Sequence, residues 1–219
     1  EVGFYKGGTG SYTKMLDITR EEEALTHILS FDGCFGMTKV VVNGHVALRH
    51  HYGYTPFEVE LDRYLHVGSN RITVTASNTN EPNSRWYSGA GLYRKVTLLT
   101  GNQLHILPEG IYTYTKSIEG EAVQVVETTV ENDTDSEKAV VLKIEIAEKK
   151  TGAVVAAAED SMSVDADDCQ LSHVEITIPN PLLWDVDAPN LYLARVTVTE
   201  ISDPGVSDTA QAQFGIRTI

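Results

Sequence analysis

The stretch of the chain best suited to bind a ligand is a polar loop with an Arg-Trp-Tyr cluster, between Asn78 and Arg94. Trp86 offers a flat apolar face and Arg85 a planar group with five hydrogen-bond donors, surfaces that match a sugar ring and its hydroxyl groups. A purely structural role for the same residues is the alternative interpretation. Trp86 could instead close the end of a β-sandwich while Arg85 and Arg94 pair with carboxylates, since large aromatic side chains are buried more often than they bind ligands.

The cysteines and histidines form no pattern that indicates a disulfide framework or a metal site. Cys34 and Cys169 are far apart, and the chain has no Cys-x-x-Cys pair. The seven histidines are scattered, and the adjacent His50 and His51 would point to opposite faces of a strand. The sequence therefore predicts no metal ion and no cofactor, and it leaves the cellular compartment undecided.

Charge and aromatic residues are distributed unevenly along the chain. Of 17 basic and 31 acidic side chains, the first 100 residues carry ten of each, so the entire net charge of −14 belongs to residues 101–219. Twelve of the 17 aromatic residues lie in the first 100. This contrast predicts two domains. An acidic protein repels phosphate backbones, which argues against nucleic acid as a partner, and no apolar run is long enough for a membrane span.

The first domain, residues 1–102, is predicted to be all-β because short alternating runs are separated by turn signals every 8 to 12 residues. Asn43-Gly44 is the clearest hairpin signal, since both residues favour the left-handed conformation of a type I′ turn. About eight such strands favour a jelly roll. The predicted strands are Ser11–Ile18, His27–Phe31, Thr38–Val42, His45–Leu48, Phe57–Leu61, Asn70–Ala76 and Lys95–Leu99.

The second domain, residues 103–219, is also predicted to consist of strands. Gly101-Asn102 and the segment Leu104–Pro108 are interpreted as the crossing between the domains. About seven short strands over some 110 residues fit an immunoglobulin-like sandwich. The predicted strands are Ala122–Val130, Ala139–Ile146, Val154–Ala158, Val174–Ile178, Leu191–Thr199 and Ala210–Arg217.

Several short phrases, in order, resemble the non-catalytic N-terminal half of glycoside hydrolase family 2. Each phrase alone is weak evidence, and the ordered set extends from about residue 4 to residue 219. The Ser-Arg-Trp-Tyr-Ser-Gly-Ala-Gly-Leu-Tyr-Arg wording is most similar to the β-galactosidase branch. The phrases are Phe31–Gly33, Val42–Gly44, Gly53–Phe57, Val67–Asn70, Asn83–Arg94, Leu183–Trp184, Pro189–Tyr192 and Phe214–Arg217.

This resemblance implies a jelly-roll sugar-binding domain, an immunoglobulin-like domain, and a catalytic (β/α)₈ barrel that would begin just past Ile219. In the family both catalytic carboxyl groups come from the barrel, the acid/base from an Asn-Glu pair. Asn80-Glu81 has the same two residue types, but Pro82 follows this pair and no barrel strand precedes it. The chain is therefore expected to contain no catalytic residue, and its start without methionine suggests a piece of a longer protein.

The resemblance also implies that the loop of the first domain contributes to the rim of the barrel's pocket, with a terminal β-galactoside as the substrate. The predicted rim residues are Asn78, Asn83, Ser84, Arg85 and Trp86. Amide and guanidinium groups would orient the sugar, and the indole would shape the wall.

Some positions are predicted to have structural roles or depart from the family. Arg94 is interpreted as an ion-pair partner or loop anchor, and Trp184 and Tyr192 as core of the second domain. Ser11–Lys14 differs from the family's usual Trp-Tyr-Arg-Lys wording, which puts the rim beside this strand in doubt.

Other functions remain open at the level of sequence. The chain could be a free carbohydrate-binding module, because jelly rolls and sugar lectins share an architecture. It could also be a structural or oligomerisation element, and a homo-oligomeric parent is compatible with either role. Within the enzyme interpretation, β-glucuronidase and β-mannosidase are the alternatives, because the shared phrases do not encode the substrate's stereochemistry.

Overall fold

A computed structural model describes residues 7–79 and 90–217 of the chain. Strands dominate this part of the protein, and its helices are two short 3₁₀ turns at Glu22–Ala24 and Asp62–Tyr64. Neither turn approaches the length that a membrane-crossing helix requires. The chain divides into two compact units, Glu1–Gly101 and Asn102–Ile219.

The first unit is a β-sandwich of antiparallel strands. One sheet has the order β1-β7-β4-β5 and the other β6-β2-β9, while β3 and β8 pair as a separate two-stranded sheet. The strands are β1 (Thr9–Ile18), β2 (Thr26–Phe31), β3 (Cys34–Phe35), β4 (Met37–Val42), β5 (His45–His50), β6 (Phe57–Glu60), β7 (Gly68–Ser77), β8 (Gly91–Leu92) and β9 (Val96–Gly101).

Alternating side chains of both large sheets build the core of the first unit. Along β7 the buried positions alternate with more exposed ones, as expected when one face of a strand covers a core. The rings of Phe31 and Phe57 stack at 4.5 Å between centroids and anchor the three-stranded sheet. The core residues are Leu29, Phe31, Cys34, Val40, Val42, Phe57, Val59, Leu61, Ile72, Val74 and Ala76.

Local turn signals in the first unit are realised as predicted. Asn43 has φ 50° and Gly44 φ 88°, so β4 and β5 are joined by the left-handed pair that a tight hairpin needs. The acidic run after β1 forms the 3₁₀ turn. Two reciprocal hydrogen bonds between Thr19 and Glu22 cap its start. The Glu22 amide donates to the Thr19 hydroxyl at 3.2 Å, and the Thr19 amide donates to the Glu22 carboxylate at 2.9 Å.

The second unit is a seven-stranded sandwich. One sheet has the order β10-β11-β14 and the other β13-β12-β15-β16, an immunoglobulin-like arrangement. The strands are β10 (Leu104–Glu119), β11 (Glu121–Asn132), β12 (Lys138–Glu148), β13 (Val154–Val164), β14 (Asp168–Ile178), β15 (Tyr192–Glu200) and β16 (Ser207–Phe214).

The core of the second unit is aliphatic, with one aromatic pair. Branched side chains on β11, β12 and β15 fill the space between the sheets. Tyr192 is buried and stacks on Phe214 with 5.6 Å between ring centroids. Along β12 buried positions alternate with more exposed ones, which places Lys143 and Glu145 on the outer face.

The prediction of an all-β protein, a jelly roll followed by an immunoglobulin-like sandwich, is confirmed. The interpretation of Leu104–Pro108 as a connecting segment is wrong, since these residues form the first part of β10. Pro108 and Gly110 interrupt the alternating pattern by which this strand could be recognised in the sequence. The pairing of β10 with β11 shifts register between Ile106 and Ile111, so the strand continues past the interruption as an irregular bulge.

Candidate functional site

Of the predicted rim residues, the structure describes Asn78. Asn83, Ser84, Arg85 and Trp86 lie outside the described residues, as does the Asn80-Glu81 pair.

Asn78 is half-buried and is fixed on both its backbone and its side chain. Its amide N–H donates to the carbonyl of Gly8 at 3.0 Å, and its Oδ1 accepts from the Gly8 N–H at 2.8 Å. The backbone of Ser77, the preceding residue, also packs closely against Gly36. Gly36 has φ 108°, and a Cβ at this position would lie 2.7 Å from the carbonyl oxygen of Ser77. The end of β7 and the first residue of the rim loop are therefore held against the residues that precede β1 and β4.

The small β3–β8 sheet brings two of the family-like phrases together. Phe35 pairs with Gly91 and Cys34 with Leu92, so the Phe-Asp-Gly phrase lies beside the Gly-Leu-Tyr-Arg phrase. The phenol of Tyr93 then donates a hydrogen bond to the carbonyl of Gly53 at 2.9 Å, which adds the Gly-Tyr-Thr-Pro phrase. Three phrases that are about 20 to 60 residues apart in sequence thus meet at one place.

At this place four aromatic side chains form a partly exposed cluster, called here the tyrosine patch. Tyr54 lies edge-on to Phe35 at 5.2 Å and to Tyr52 at 5.9 Å between ring centroids. Tyr93 completes the patch; Tyr52 is 60% exposed, Tyr54 57% and Tyr93 41%. Exposed aromatic faces with polar tips are suited to a sugar ring or to a neighbouring protein surface.

Arg94, interpreted from the sequence as an ion-pair partner or a loop anchor, lies beside Tyr93. It is exposed, and no carboxylate of the described residues pairs with it. Its guanidinium group lies over the ring of Tyr93, 5.5 Å from the centroid, where a cation–π contact is favourable. Arg94 thus extends the tyrosine patch with a positive group.

The three family-like phrases of the second unit also meet, and their contacts are structural. The amide of Trp184 donates to the carbonyl of Ile216 at 2.8 Å, and Trp184 forms an isolated bridge with Pro189. The phenol oxygen of Tyr192 accepts from the amide of Leu182 at 2.8 Å. Tyr192 is a core residue as predicted. Trp184 is half-buried, and the guanidinium group of Arg217 lies over its ring, 5.0 Å from the centroid.

Other charged and titratable groups of the first unit serve the fold. The buried imidazole of His27 contacts the carboxylate of Asp62 through Nδ1 at 2.8 Å, and the backbone amide of His27 donates to the same carboxylate. Burial raises the pKa of the Cys34 thiol, so this cysteine is neutral and unreactive at neutral pH.

Among the described residues, one group could hold a metal ion: His105, Glu131 and Asp133. The spacing of histidines gave no signal for it, because Glu131 reaches His105 across the β10–β11 pair rather than along the chain.

The fold and the meeting of these phrases define a pair of β-sandwich domains. Residues 104–217 match the model of glycosyl hydrolases family 2, and residues 4–102 match the model of its sugar binding domain. The chain belongs to glycosyl hydrolases family 2.

Individual relatives agree with this assignment. The chain is 31% identical over 218 residues to the β-galactosidase BoGH2A of Bacteroides ovatus, covering 99% of this chain and 25% of that enzyme. A solved family 2 member from Bacteroides cellulosilyticus is 30% identical with a TM-score of 0.88, covering 99% of this chain and 29% of the other. A solved family 2 β-glucuronidase is 26% identical with a TM-score of 0.90, covering all of this chain and 25% of the other. The chain spans about a fifth to a quarter of the length of two curated relatives that it matches.

Proposed function

We propose that the chain is the non-catalytic N-terminal part of a longer enzyme that hydrolyses terminal β-galactosides. The observation that carries the proposal is a match to two family 2 domain models, over residues 4–102 and 104–217, in a chain one quarter as long as the Bacteroides ovatus β-galactosidase. In this proposal residues 1–102 are the sugar-binding domain and residues 103–219 the immunoglobulin-like domain. A catalytic barrel follows Ile219 and supplies two carboxyl groups about 5 to 5.5 Å apart for a retaining reaction.

The contribution of this chain is scaffold and pocket rim. Asn78 and the loop residues Asn83, Ser84, Arg85 and Trp86 are assigned to the rim. The anchoring of Asn78 to Gly8 supports this assignment, since a loop that starts from a fixed backbone can orient a sugar without losing much entropy on binding.

Activity measurements on two lengths of the protein test the proposal. The coding sequence is extended past Ile219 to its natural end, and both the long chain and the 219-residue chain are assayed with p-nitrophenyl β-galactoside. Only the long chain is expected to release p-nitrophenol. Hydrolysis by the 219-residue chain alone, or a continuation without an alternating strand–helix pattern, would overturn the proposal.

The rim assignment is tested in the long enzyme. Replacing Arg85 or Trp86 with alanine is expected to raise KM about tenfold, because substrate orientation and wall contacts are lost. Arg71→Ala is the matched control, since its side chain is exposed on β7. A KM for both rim variants that equals that of the control would contradict the assignment.

β-Glucuronidase is the second candidate for the parent enzyme, because a solved β-glucuronidase of family 2 covers the whole chain with a TM-score of 0.90. The two substrates differ at C6, where a glucuronide carries a carboxylate. The ratio of kcat/KM for the β-galactoside and the β-glucuronide decides between them. A ratio above one supports the β-galactosidase proposal, and a ratio below one replaces it with the second candidate.

The tyrosine patch favours a further candidate, a carbohydrate-binding module that acts without the barrel. Titration of the 219-residue chain with galactose and lactose, followed by protein-observed NMR, tests it. Saturable binding that is lost in Tyr54→Ala and kept in Tyr112→Ala would support the module, since Tyr112 is similarly exposed in the second unit. No shift up to millimolar sugar would exclude the module and leave the accessory role.

A further inference from the structure

The start of the second unit contains a buried histidine between two carboxylates. His105, on β10, is directly opposite Glu131 on β11, and Asp133 follows the end of β11. The Nε2 atom of His105 lies 3.2 Å from Oε2 of Glu131, and its Nδ1 atom lies 4.0 Å from Oδ2 of Asp133. One potential ligand atom from each residue lies within 4.8 Å of those of the other two.

The imidazole of His105 lacks the hydrogen bonds that a buried ring needs. The residue is 7% exposed, and both of its ring nitrogens are buried without a hydrogen-bond partner. Nε2 is close enough to Glu131 for a hydrogen bond but is not oriented to make one. Buried polar groups are normally paired, so this ring points to a missing partner at a definite position.

The geometry at Nε2 fits a shared metal ion better than a hydrogen bond. Zinc lies about 2.0–2.1 Å from histidine nitrogen and about 2.0–2.2 Å from carboxylate oxygen, and two such ligands at an angle near 100° are about 3.2 Å apart. That value equals the separation of Nε2 and the Glu131 oxygen. Around an ion the carboxylate oxygen would lie off the N–H axis, which agrees with the missing hydrogen bond at Nε2.

Charge and access also suit a cation. Two carboxylates beside a buried ring form an electronegative site in the half of the chain that carries the net charge of −14. The side chains of Glu131 and Asp133 are 26% and 34% exposed, so an ion can enter from solvent on their side.

We propose that His105, Glu131 and Asp133 form a binding site for a divalent transition-metal ion of the zinc type, completed by water. The imidazole selects such an ion over magnesium or calcium, which prefer oxygen ligands alone. The ion ties the first residues of β10 to the end of β11 and to the acidic turn beyond it. Its role is therefore to stabilise the start of the second unit.

Calorimetric titration of the 219-residue chain with Zn²⁺, after removal of metals by chelation and dialysis, tests the site. One saturable ion per chain is expected. His105→Gln and Glu131→Gln are each expected to weaken binding at least about tenfold, because a ligand is lost. His173→Gln is the matched control: its Nδ1 also faces a carboxylate, that of Glu127 at 3.1 Å, but its side chain is 48% exposed. The control variant should bind as the wild type does.

Cobalt provides a direct readout of coordination. A visible absorption band of the Co²⁺-loaded chain is expected, and it should vanish in His105→Gln. If His105→Gln does not fold, Glu131→Gln and Asp133→Asn carry the test, because these side chains are partly exposed. The absence of saturable Zn²⁺ binding would overturn the proposal, as would equal affinity in the ligand variants and the wild type. Tighter binding of Ca²⁺ or Mg²⁺ than of Zn²⁺ would also overturn it.

Discussion

Two asparagines that belong to separate family-like phrases are predicted to stabilise the first unit as a coupled pair. The Nδ2 group of Asn43 donates to Oδ1 of Asn70 at 2.7 Å and to the carbonyl of Tyr64 at 2.9 Å, and its Oδ1 accepts from the amide of Arg71 at 2.8 Å. Asn70 is fully buried and accepts from the amide of His66. The pair therefore joins the hairpin turn between β4 and β5 to the turn before β7.

The expected cost follows from these bonds. Each hydrogen bond contributes about 0.5–1.5 kcal/mol net, and alanine in the left-handed conformation of Asn43 costs about 1 kcal/mol more. Asn43→Ala should lower the free energy of unfolding by about 3 kcal/mol, and Asn70→Ala by a similar amount. Because the bond between them is lost in either variant, the double variant should be less destabilised than the sum by about 1 kcal/mol.

Urea denaturation followed by tryptophan fluorescence measures these changes. The chain has two tryptophans, so a Trp184→Phe background leaves Trp86, in the first unit, as the sole probe. Asn43→Gly separates the two contributions, since glycine removes the amide but tolerates the left-handed backbone. It should be more stable than Asn43→Ala by about 1 kcal/mol. Additive single variants, or a loss below about 0.5 kcal/mol for Asn43→Ala, would refute the coupling.

Two further predictions concern backbone packing and pH. Gly36→Ala should destabilise the first unit more than Gly44→Ala: both have positive φ, but a Cβ at Gly36 would also lie 2.7 Å from the Ser77 carbonyl, whereas nothing lies within 4 Å at Gly44. Equal losses in urea denaturation would contradict this difference. A hydrogen bond from Ser202 lowers the pKa of the Glu200 carboxyl below its ordinary value of 4.5. Its contribution to stability is therefore present above pH 4.5 and is lost as pH falls through the lowered pKa. The Tm of Glu200→Gln should lie below that of the wild type at pH 7, and the difference should shrink as the pH falls through the lowered pKa of Glu200; a constant difference would contradict the linkage.

The strands that could be predicted from sequence were those with regular alternation and clear turns. The β7 strand and the Asn43-Gly44 hairpin are examples, because period-two burial and left-handed turn residues act within a few positions. β10 was missed because Pro108 and Gly110 break the local pattern, and only its pairing with β11 holds it as one strand. The residue pattern of one segment cannot reveal a strand that is held together by pairing with another segment.

The candidate site likewise has features that the sequence could predict and features that it could not. The sequence indicated the loop that begins at Asn78, and the phrase resemblance indicated the family. It did not reveal that Asn78 uses its amide oxygen to hold Gly8, or that Tyr54 and Tyr93 belong to one exposed patch. These contacts join residues far apart along the chain.

The sequence by itself determined the all-β class, the two-domain organisation expected from charge, and the family, because periodicity, composition and phrase order are properties of the linear chain. Only the tertiary structure decided which distant side chains meet. It joined Asn43 to Asn70 through a hydrogen bond and placed His105 between Glu131 and Asp133. The physical reason is strand pairing: register across a sheet sets side-chain neighbours at 4.5 to 5.5 Å, and no spacing along one strand encodes which partner is opposite.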